Sequence, residues 1–269
     1  MPEESSISAE SREQEQVYQM GLAARLANFF LGSTSKAVGA LKERASWQDW
    51  VIPILVTFLV TAAFGRLTKD IVITEVKQKI ATSTKLTEEQ QKMILDRIEQ
   101  QQEVADKPTY LLRGYAISLV SILVVTVVVA GILMFLINVV LGGNARFIHA
   151  LALASWGSWL AHLTQGPGTL LIGLFPAILK TPLILAKGTT DVATSLAVLL
   201  PAGMKGQFLY ALATKVDLFN LWQLGVMSVG VAVLAGTSTK KAAGWVVGTW
   251  VVWAILASAL AALLKGPLG

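Results

Sequence analysis

The chain has 269 residues, of which 54% are hydrophobic and 14% are charged. Soluble domains carry about 25% charged residues, so this composition excludes an ordinary soluble fold and indicates an integral membrane protein. The sequence contains no cysteine, which excludes disulfides, thiolate metal sites and cysteine nucleophiles. Its net charge of +5 comes without an arginine-rich run, so we expect the lipid bilayer rather than nucleic acid as a partner.

Residues 1–45 form a polar N-terminal segment whose acidic beginning argues against a cleaved signal peptide. Within residues 14–31, apolar side chains recur at three-to-four spacing, which predicts an amphipathic helix with Arg25 off the apolar face. The apolar face is formed by Val17, Met20, Ala24, Ala27 and Leu31. This helix is expected to lie on the membrane, anchored by Phe29 and Phe30, or else to pack on a partner. A second short helix is expected over residues 35–44.

Residues 46–269 contain five long apolar regions, and a helix needs roughly 20 residues to cross the hydrocarbon. The predicted spans are residues 48–66, 114–141, 147–179, 218–237 and 242–264. They predict an all-α integral membrane protein with a five-span helical bundle. The first span is the shortest, so it is expected to extend by letting Arg66 reach the interface and by seating Trp47 and Trp50 at the headgroups.

The segment between the first two spans, residues 66–113, has mixed charge and is predicted to be a charged helical loop outside the lipid. Thr87 and Gln90 have the spacing of a capping box, which predicts a helix from there to about Glu103. Pro108 is expected to end this helix before the second span. A solvated surface helix without a ligand is favoured here over a binding function.

The third apolar region is interrupted at residues 166–168, which read Gly-Pro-Gly. Pro167 removes a backbone donor and glycine unwinds a helix cheaply. Residues 169–179 are therefore expected to form a kinked continuation, a re-entrant piece or an additional span. Pro176 and Pro182 argue against a clean separate span.

Two histidines are candidate intramembrane polar residues, because a charged group in the membrane costs at least about 2.5 kcal/mol unless it is paired or hydrated. His149 follows Arg146 and is predicted to be solvated at the interface. His162 is either part of a proton relay or a neutral hydrogen-bonding residue. The neutral role is favoured, because no Asp or Glu lies in this region to serve as a carboxylate partner.

The last two spans carry small residues at the spacing that lets helices approach closely. These are Gly244 and Gly248 in the final span, and Ala232 and Gly236 in the preceding one. The two spans are predicted to form a helical hairpin. Packing within the chain is favoured over homodimerisation through these residues.

The end of the chain resembles the closing segment of Yip family membrane proteins, named for interaction with Ypt/Rab GTPases. The string 217–222, Asp-Leu-Phe-Asn-Leu-Trp, enters a span that contains Gly230 and precedes the Lys240-Lys241 turn. The motif residues are Asp217, Phe219, Trp222, Gly230, Lys240 and Lys241. The order of parts, from Ser46-Trp47 through the charged loop to these spans, is similar to the bacterial branch. The resemblance covers residues 46–264.

This resemblance implies a five-span fold with a cytosolic N-terminus in the bacterial cytoplasmic membrane. Eukaryotic members bind prenylated Rab GTPases, whereas some bacterial relatives accompany macrolide-type ABC exporters. With this orientation the inner turns hold Arg146, Lys240 and Lys241, as positive-inside behaviour requires. Basic residues such as Arg66 and Arg113 flank the outer side against that tendency, so the orientation is taken from the resemblance.

The leading functional hypothesis is a non-enzymatic membrane scaffold or adaptor that binds another membrane protein, such as an ABC exporter component, or a second copy. The alternative is a small-solute or ion pathway through the broken third region and His162. An intramembrane enzyme is disfavoured, because the sequence has no Ser-His-Asp arrangement, zinc-type His-Glu spacing or paired membrane carboxylates. No catalytic residue, cofactor or metal is predicted.

Overall fold

The computed structural model describes residues 20–84, 86–158, 173–190, 192, 194–204 and 207–263. Helices account for 83% of these residues, and no strand occurs among them, so the predicted all-α class is confirmed. The α-helices are α1 (Leu22–Leu31), α2 (Thr34–Glu43), α3 (Gln48–Ala81), α4 (Glu88–Ala105), α5 (Pro108–Phe135), α6 (Phe147–Gly157), α7 (Leu174–Lys187), α8 (Phe208–Lys215), α9 (Leu218–Ala235) and α10 (Thr239–Leu263). A π-helical turn, Leu136–Val140, continues α5.

Four of the described helices are long and apolar enough to cross a membrane. They are α3, α5 with its π-helical turn, α9 and α10. Side chains that face outward on α5 include Val120, Val124 and Val128, each more than half exposed. An outward valine face suits contact with lipid, so length, composition and surface all indicate a membrane protein.

The first long helix extends well beyond the predicted span. The sequence predicts a span over residues 48–66 followed by a charged helical loop, and in the structure α3 continues without a break to Ala81. The first part of the charged region is therefore a continuation of α3. Residues 66–81 contain neither glycine nor proline, so nothing in the backbone stops the helix there.

The predicted helix start within the charged region is confirmed. The Thr87 hydroxyl accepts from the Gln90 backbone N–H at 3.3 Å, and the Gln90 side chain accepts from the Thr87 N–H at 3.1 Å. This capping box opens α4. The helix ends at Ala105, and Pro108 is the first residue of α5, a position where proline loses no intrahelical hydrogen bond.

Ion pairs join the extension of α3 to α4 and the turn that follows it. Lys77 lies 3.2 Å from Glu99, while Lys69 and Arg66 lie 3.0 and 3.1 Å from Asp106. Hydrogen bonding and charge from Lys69, aided by Arg66, hold the pKa of Asp106 below its usual value. These groups are exposed, so each pair adds little stability and the contacts mainly align the two helices.

The chain divides into two compact units, each described here by itself. The described residues of the first unit lie within Met1–Leu55, Val124–Trp159 and Trp222–Trp250. Those of the second lie within Val56–Leu123, Leu160–Leu221 and Val251–Gly269. The largest fully buried apolar side chains of the first unit are Phe29, Val38, Leu41, Ile137, Leu153, Trp156, Val231 and Leu234.

The N-terminal helices pack into the core of the first unit. Phe29 and Phe30, predicted to anchor α1 in the membrane, are instead buried in protein. Phe29 meets the Trp156 ring edge-on at 5.3 Å between centroids, and Phe30 meets the Trp222 ring at 6.5 Å. The expectation of a membrane anchor was wrong because an apolar side chain suits lipid and a protein core equally well.

The predicted apolar face of α1 lies on its outside. Ala24, Ala27 and Leu31 are exposed, whereas Arg25, expected on the polar side, is buried. Val17, at the start of the predicted amphipathic helix, lies outside the described residues. The predicted second helix is confirmed as α2, which buries Ala37, Val38, Ala40 and Leu41.

The third apolar region contributes two shorter helices to the described part of the chain. They are α6, with 11 residues, and α7, with 14 residues. Pro176 and Pro182 both lie inside α7. Residues 159–172, which include the Gly-Pro-Gly break and His162, lie outside the described residues. Further along, α8 covers Phe208–Lys215.

Candidate functional site

A proline near the start of α3 frees a backbone carbonyl in the first unit. Pro53 has no N–H, so the Asp49 carbonyl, four residues earlier, lacks its intrahelical donor. The Trp156 indole N–H donates to that carbonyl at 2.7 Å, and the Ser155 hydroxyl lies 3.3 Å away. Because the Ser155 hydroxyl also lies 2.8 Å from the Ala152 carbonyl and has one proton, Trp156 is the main donor. This contact joins α6 to α3.

The carboxylate of the same residue holds α1. Arg25 Nη1 lies 2.9 Å from Asp49 Oδ1, and the two side chains are 10% and 0% exposed. The other oxygen, Oδ2, accepts from the Ser46 backbone N–H at 2.8 Å and from its hydroxyl at 3.0 Å. Asp49 therefore caps its own helix start and pairs with a buried cation. We call Arg25, Ser46, Asp49, Ser155 and Trp156 the Asp49 cluster.

A further contact fastens the other end of the N-terminal hairpin formed by α1 and α2. Lys42, near the end of α2, donates to the Val233 carbonyl of α9 at 3.3 Å. Together with the Phe29–Trp156 and Phe30–Trp222 ring contacts, the Asp49 cluster fixes this hairpin against α6 and α9. The arrangement holds the N-terminal helices in place.

The first motif residue, Asp217, organises a second buried cluster in the second unit. Its Oδ1 accepts from the Phe219 backbone N–H at 2.9 Å, which caps the start of α9. Its Oδ2 accepts from the Thr194 hydroxyl and lies 3.6 Å from Lys180 Nζ. The Lys180 ammonium also lies 5.9 Å from the centre of the Phe219 ring. The motif thus ties α7 to α9.

The motif residue Gly230 is a true close-packing position. A Cβ built there would lie 2.6 Å from the Leu153 side chain of α6. A Cβ built on Gly157 would likewise lie too close to the Met227 side chain of α9. One built on Gly143 would lie 2.7 Å from the Ala235 Cα. These contacts bring α6 and the turn before it against α9. The sequence does not single out Gly143 or Gly157 as packing positions.

The glycines predicted to pack the last two helices against each other do not form close helix contacts in the described residues. Gly244 and Gly248 are exposed, and no described heavy atom outside their own helix backbone lies within 4 Å of a Cβ built at either. Gly236 has a positive φ of 65° and ends α9, as glycine does after a helix. Ala232 is buried. Among the described residues, Gly244 and Gly248 therefore do not pack against another helix, because that side of α10 faces outward.

The remaining predicted residues lie near helix starts. Lys240 and Lys241 are exposed at the start of α10, where the Ser238 hydroxyl accepts from the Lys241 N–H at 3.3 Å. The sequence predicts a solvated His149, but the residue is only 5% exposed, because it folds back onto the backbone of Arg146. Among the residues that the structure describes, no group of three or more His, Cys, Asp or Glu could hold a metal ion.

Sequence reasoning missed both buried ion pairs. Arg25 was assigned to the polar side of α1, and Lys180 was not considered as a partner for Asp217. The available signal was a lone ionisable residue within an apolar helix, since such a residue is buried only when it is paired. The identity of each partner depends on contacts between residues that are distant in sequence, which no local pattern contains.

Replacing Asp49→Asn should release the N-terminal hairpin. The change leaves Arg25 buried without a counter-ion, which costs about 3–5 kcal/mol. Because the chain has no cysteine, a Val38→Cys reporter, buried in α2, can report hairpin opening by its rate of thiol labelling. We expect the rate to rise by a factor of about a hundred to several thousand. Asp106→Asn, at an exposed ion pair, is the matched control, and equal rates in all three proteins would contradict the assignment.

Replacing Trp156→Phe should lower stability by about 1–3 kcal/mol, because the Asp49 carbonyl loses its main donor. Adding Pro53→Ala should recover part of this loss, since the introduced alanine would supply the missing intrahelical N–H. Thermal unfolding in detergent measures both effects. Pro108→Ala, at the first position of α5, should give no recovery. Strictly additive effects at positions 53 and 156 would show that the carbonyl does not link them.

Comparison with known proteins returns no match. No family model, curated protein or solved structure matches this chain. The resemblance of residues 46–264 to the Yip family therefore remains a prediction from the motif residues.

Proposed function

We propose that the chain is a non-enzymatic multi-pass membrane scaffold or adaptor of the Yip family, which binds another integral membrane protein. The resemblance over residues 46–264 and the four long apolar helices support this proposal. In it, residues 147–179 supply the remaining crossing of a five-span bundle. The protein lies in the bacterial cytoplasmic membrane with its amphipathic N-terminal segment in the cytosol.

The observation that carries the proposal is the apolar face that α1 presents outward. Leu31 is 78% exposed, and Ala24 and Ala27 share its side of the helix. The opposite side is fixed by Arg25 and Phe29 in the first unit. A helix held rigidly on one side and apolar on the other loses little conformational entropy when it docks on a partner.

The final helix offers a second surface of the same kind. The open backbone at Gly244 and Gly248 lets another membrane helix approach closely, which is how helices associate where hydrophobic burial gives no driving force. A scaffold would use this side within the bilayer and α1 at its surface. In the bacterial branch that the chain resembles, the partner would be a component of an ABC exporter.

A photo-reactive residue at Leu31 should form an adduct with a membrane protein in intact cells. Leu31→Glu should reduce recovery of that protein at least about tenfold in mild detergent, because a charge replaces an apolar contact. Thermal stability should not change, since Leu31 is exposed. Met93→Glu, at an exposed residue of α4, is the matched control. Adducts with lipid alone, or equal recovery with Leu31→Glu, would contradict a protein partner on this face.

The proposed orientation is tested with Ser238→Cys in the exposed turn before α10. With the N-terminus in the cytosol and five crossings, this turn lies inside the cell. An impermeant thiol reagent should therefore label it only after the membrane is opened. Labelling of intact spheroplasts would place the turn outside and overturn the proposed orientation.

A further inference from the structure

The start of α6 fixes the protonation of a buried histidine. His149 Nδ1 lies 3.1 Å from the backbone N of Arg146, the residue that precedes the helix. A backbone N–H can only donate, so Nδ1 accepts and carries no proton. The imidazole is therefore neutral, and its single proton lies on Nε2.

The proton on Nε2 points to a second donor rather than to an acceptor. Arg146 Nη2 lies 3.3 Å from His149 Nε2, and a guanidinium has only donors. The two groups cannot hydrogen-bond to each other. Within the described residues, His149 Nε2 has no other hydrogen-bond neighbour, although the side chain is only 5% exposed. Both groups are donors that face the same point, so a ligand able to accept from both would fit here.

Nearby charges and the helix end indicate the charge of a ligand that would fit here. Lys42 and Glu43 both interact electrostatically with His149, and Arg146 adds a further positive charge. Two cations against one carboxylate leave the site positive. The first backbone N–H groups of α6 lack intrahelical acceptors and carry the positive end of the helix dipole. An oxyanion with at least two free oxygens satisfies these conditions.

The position of the site on the helix indicates where this oxyanion comes from. Arg146 and Phe147 are exposed, and α6 continues as an apolar helix from Phe147 to Gly157. A ligand at the start of α6 can therefore place an apolar tail along exposed Phe147 while its anionic group meets Arg146. A phospholipid has this form, whereas a free phosphate ion would leave the apolar surface uncovered.

We propose that Arg146 and His149 bind the phosphate of an anionic phospholipid at the start of α6. This site relies on the membrane placement of α6 given under the proposed function, but it does not depend on a protein partner. Arg146 supplies charge and two forked donors, while His149 supplies one oriented donor from a buried ring. The fixed imidazole N–H adds an oriented donor to the exposed arginine, so the two groups can each donate to an oxygen of the phosphate.

The test uses the full chain in detergent and measures lipid retention by native mass spectrometry, with thermal unfolding as a second readout. The probes are phosphatidylglycerol, a diacylglycerol that lacks the phosphate, and inorganic phosphate. Phosphatidylglycerol should be retained and should raise the Tm, whereas the other two should do neither. Equal stabilisation by inorganic phosphate would identify a free-anion site, and equal retention of diacylglycerol would show an apolar contact only. Either result overturns the proposal.

Arg146→Gln and His149→Asn should each weaken phosphatidylglycerol retention at least about tenfold, because each removes one charge-assisted or buried hydrogen bond. The introduced asparagine keeps an acceptor for the Arg146 N–H but does not reach the Nε2 position. Arg113→Gln, at an exposed arginine of α5, removes the same charge elsewhere and should retain the lipid. Unfolding without lipid checks that each variant is folded. Folded variants that retain lipid as the parent does, or an equal loss with Arg113→Gln, would refute the site.

Discussion

The Asp49 backbone carbonyl, freed by Pro53 and bound by the Trp156 indole, is the contact on which the first unit depends. An unpaired carbonyl buried in protein is unfavourable, because it loses its hydrogen bonds to water without replacing them. The Trp156 indole N–H donates to this carbonyl from α6, so the hydrogen bond that α3 cannot form within itself joins α3 to α6. The carboxylate of the same residue then binds Arg25, which brings α1 to the same point.

Each of the two units contains one buried ion pair, and the two pairs are built in the same way. Asp49 pairs with Arg25, and Asp217 pairs with Lys180, and each carboxylate also caps the start of its own helix. Exchanging a buried pair for apolar residues is often neutral or stabilising, so such pairs are weak evidence for stability. Their effect is instead to specify which helices meet, because a mispaired arrangement would leave a charge buried alone.

Local chemistry made part of the fold predictable from sequence. The capping box at Thr87 and Gln90 depends on neighbouring residues, and its prediction is confirmed. The surroundings of individual side chains could not be predicted in this way. Phe29 was expected in lipid and His149 in water, yet both are inside the protein. Hydrophobicity distinguishes apolar from aqueous surroundings but not a protein core from lipid. The partner of a side chain depends on the tertiary structure, which is why the Asp49 cluster was not foreseen.

The length of α3 has a mechanical consequence. Its 34 residues make a rod about 51 Å long at 1.5 Å per residue, whereas the hydrocarbon layer is about 30 Å thick. A helix of this length that crosses a bilayer leaves about 20 Å outside the hydrocarbon layer, and all charged residues of α3 except Asp49 lie in its C-terminal half. α4 lies alongside this part of the helix, with Lys77 3.2 Å from Glu99. The C-terminal end of α3 would therefore stand clear of the lipid together with α4.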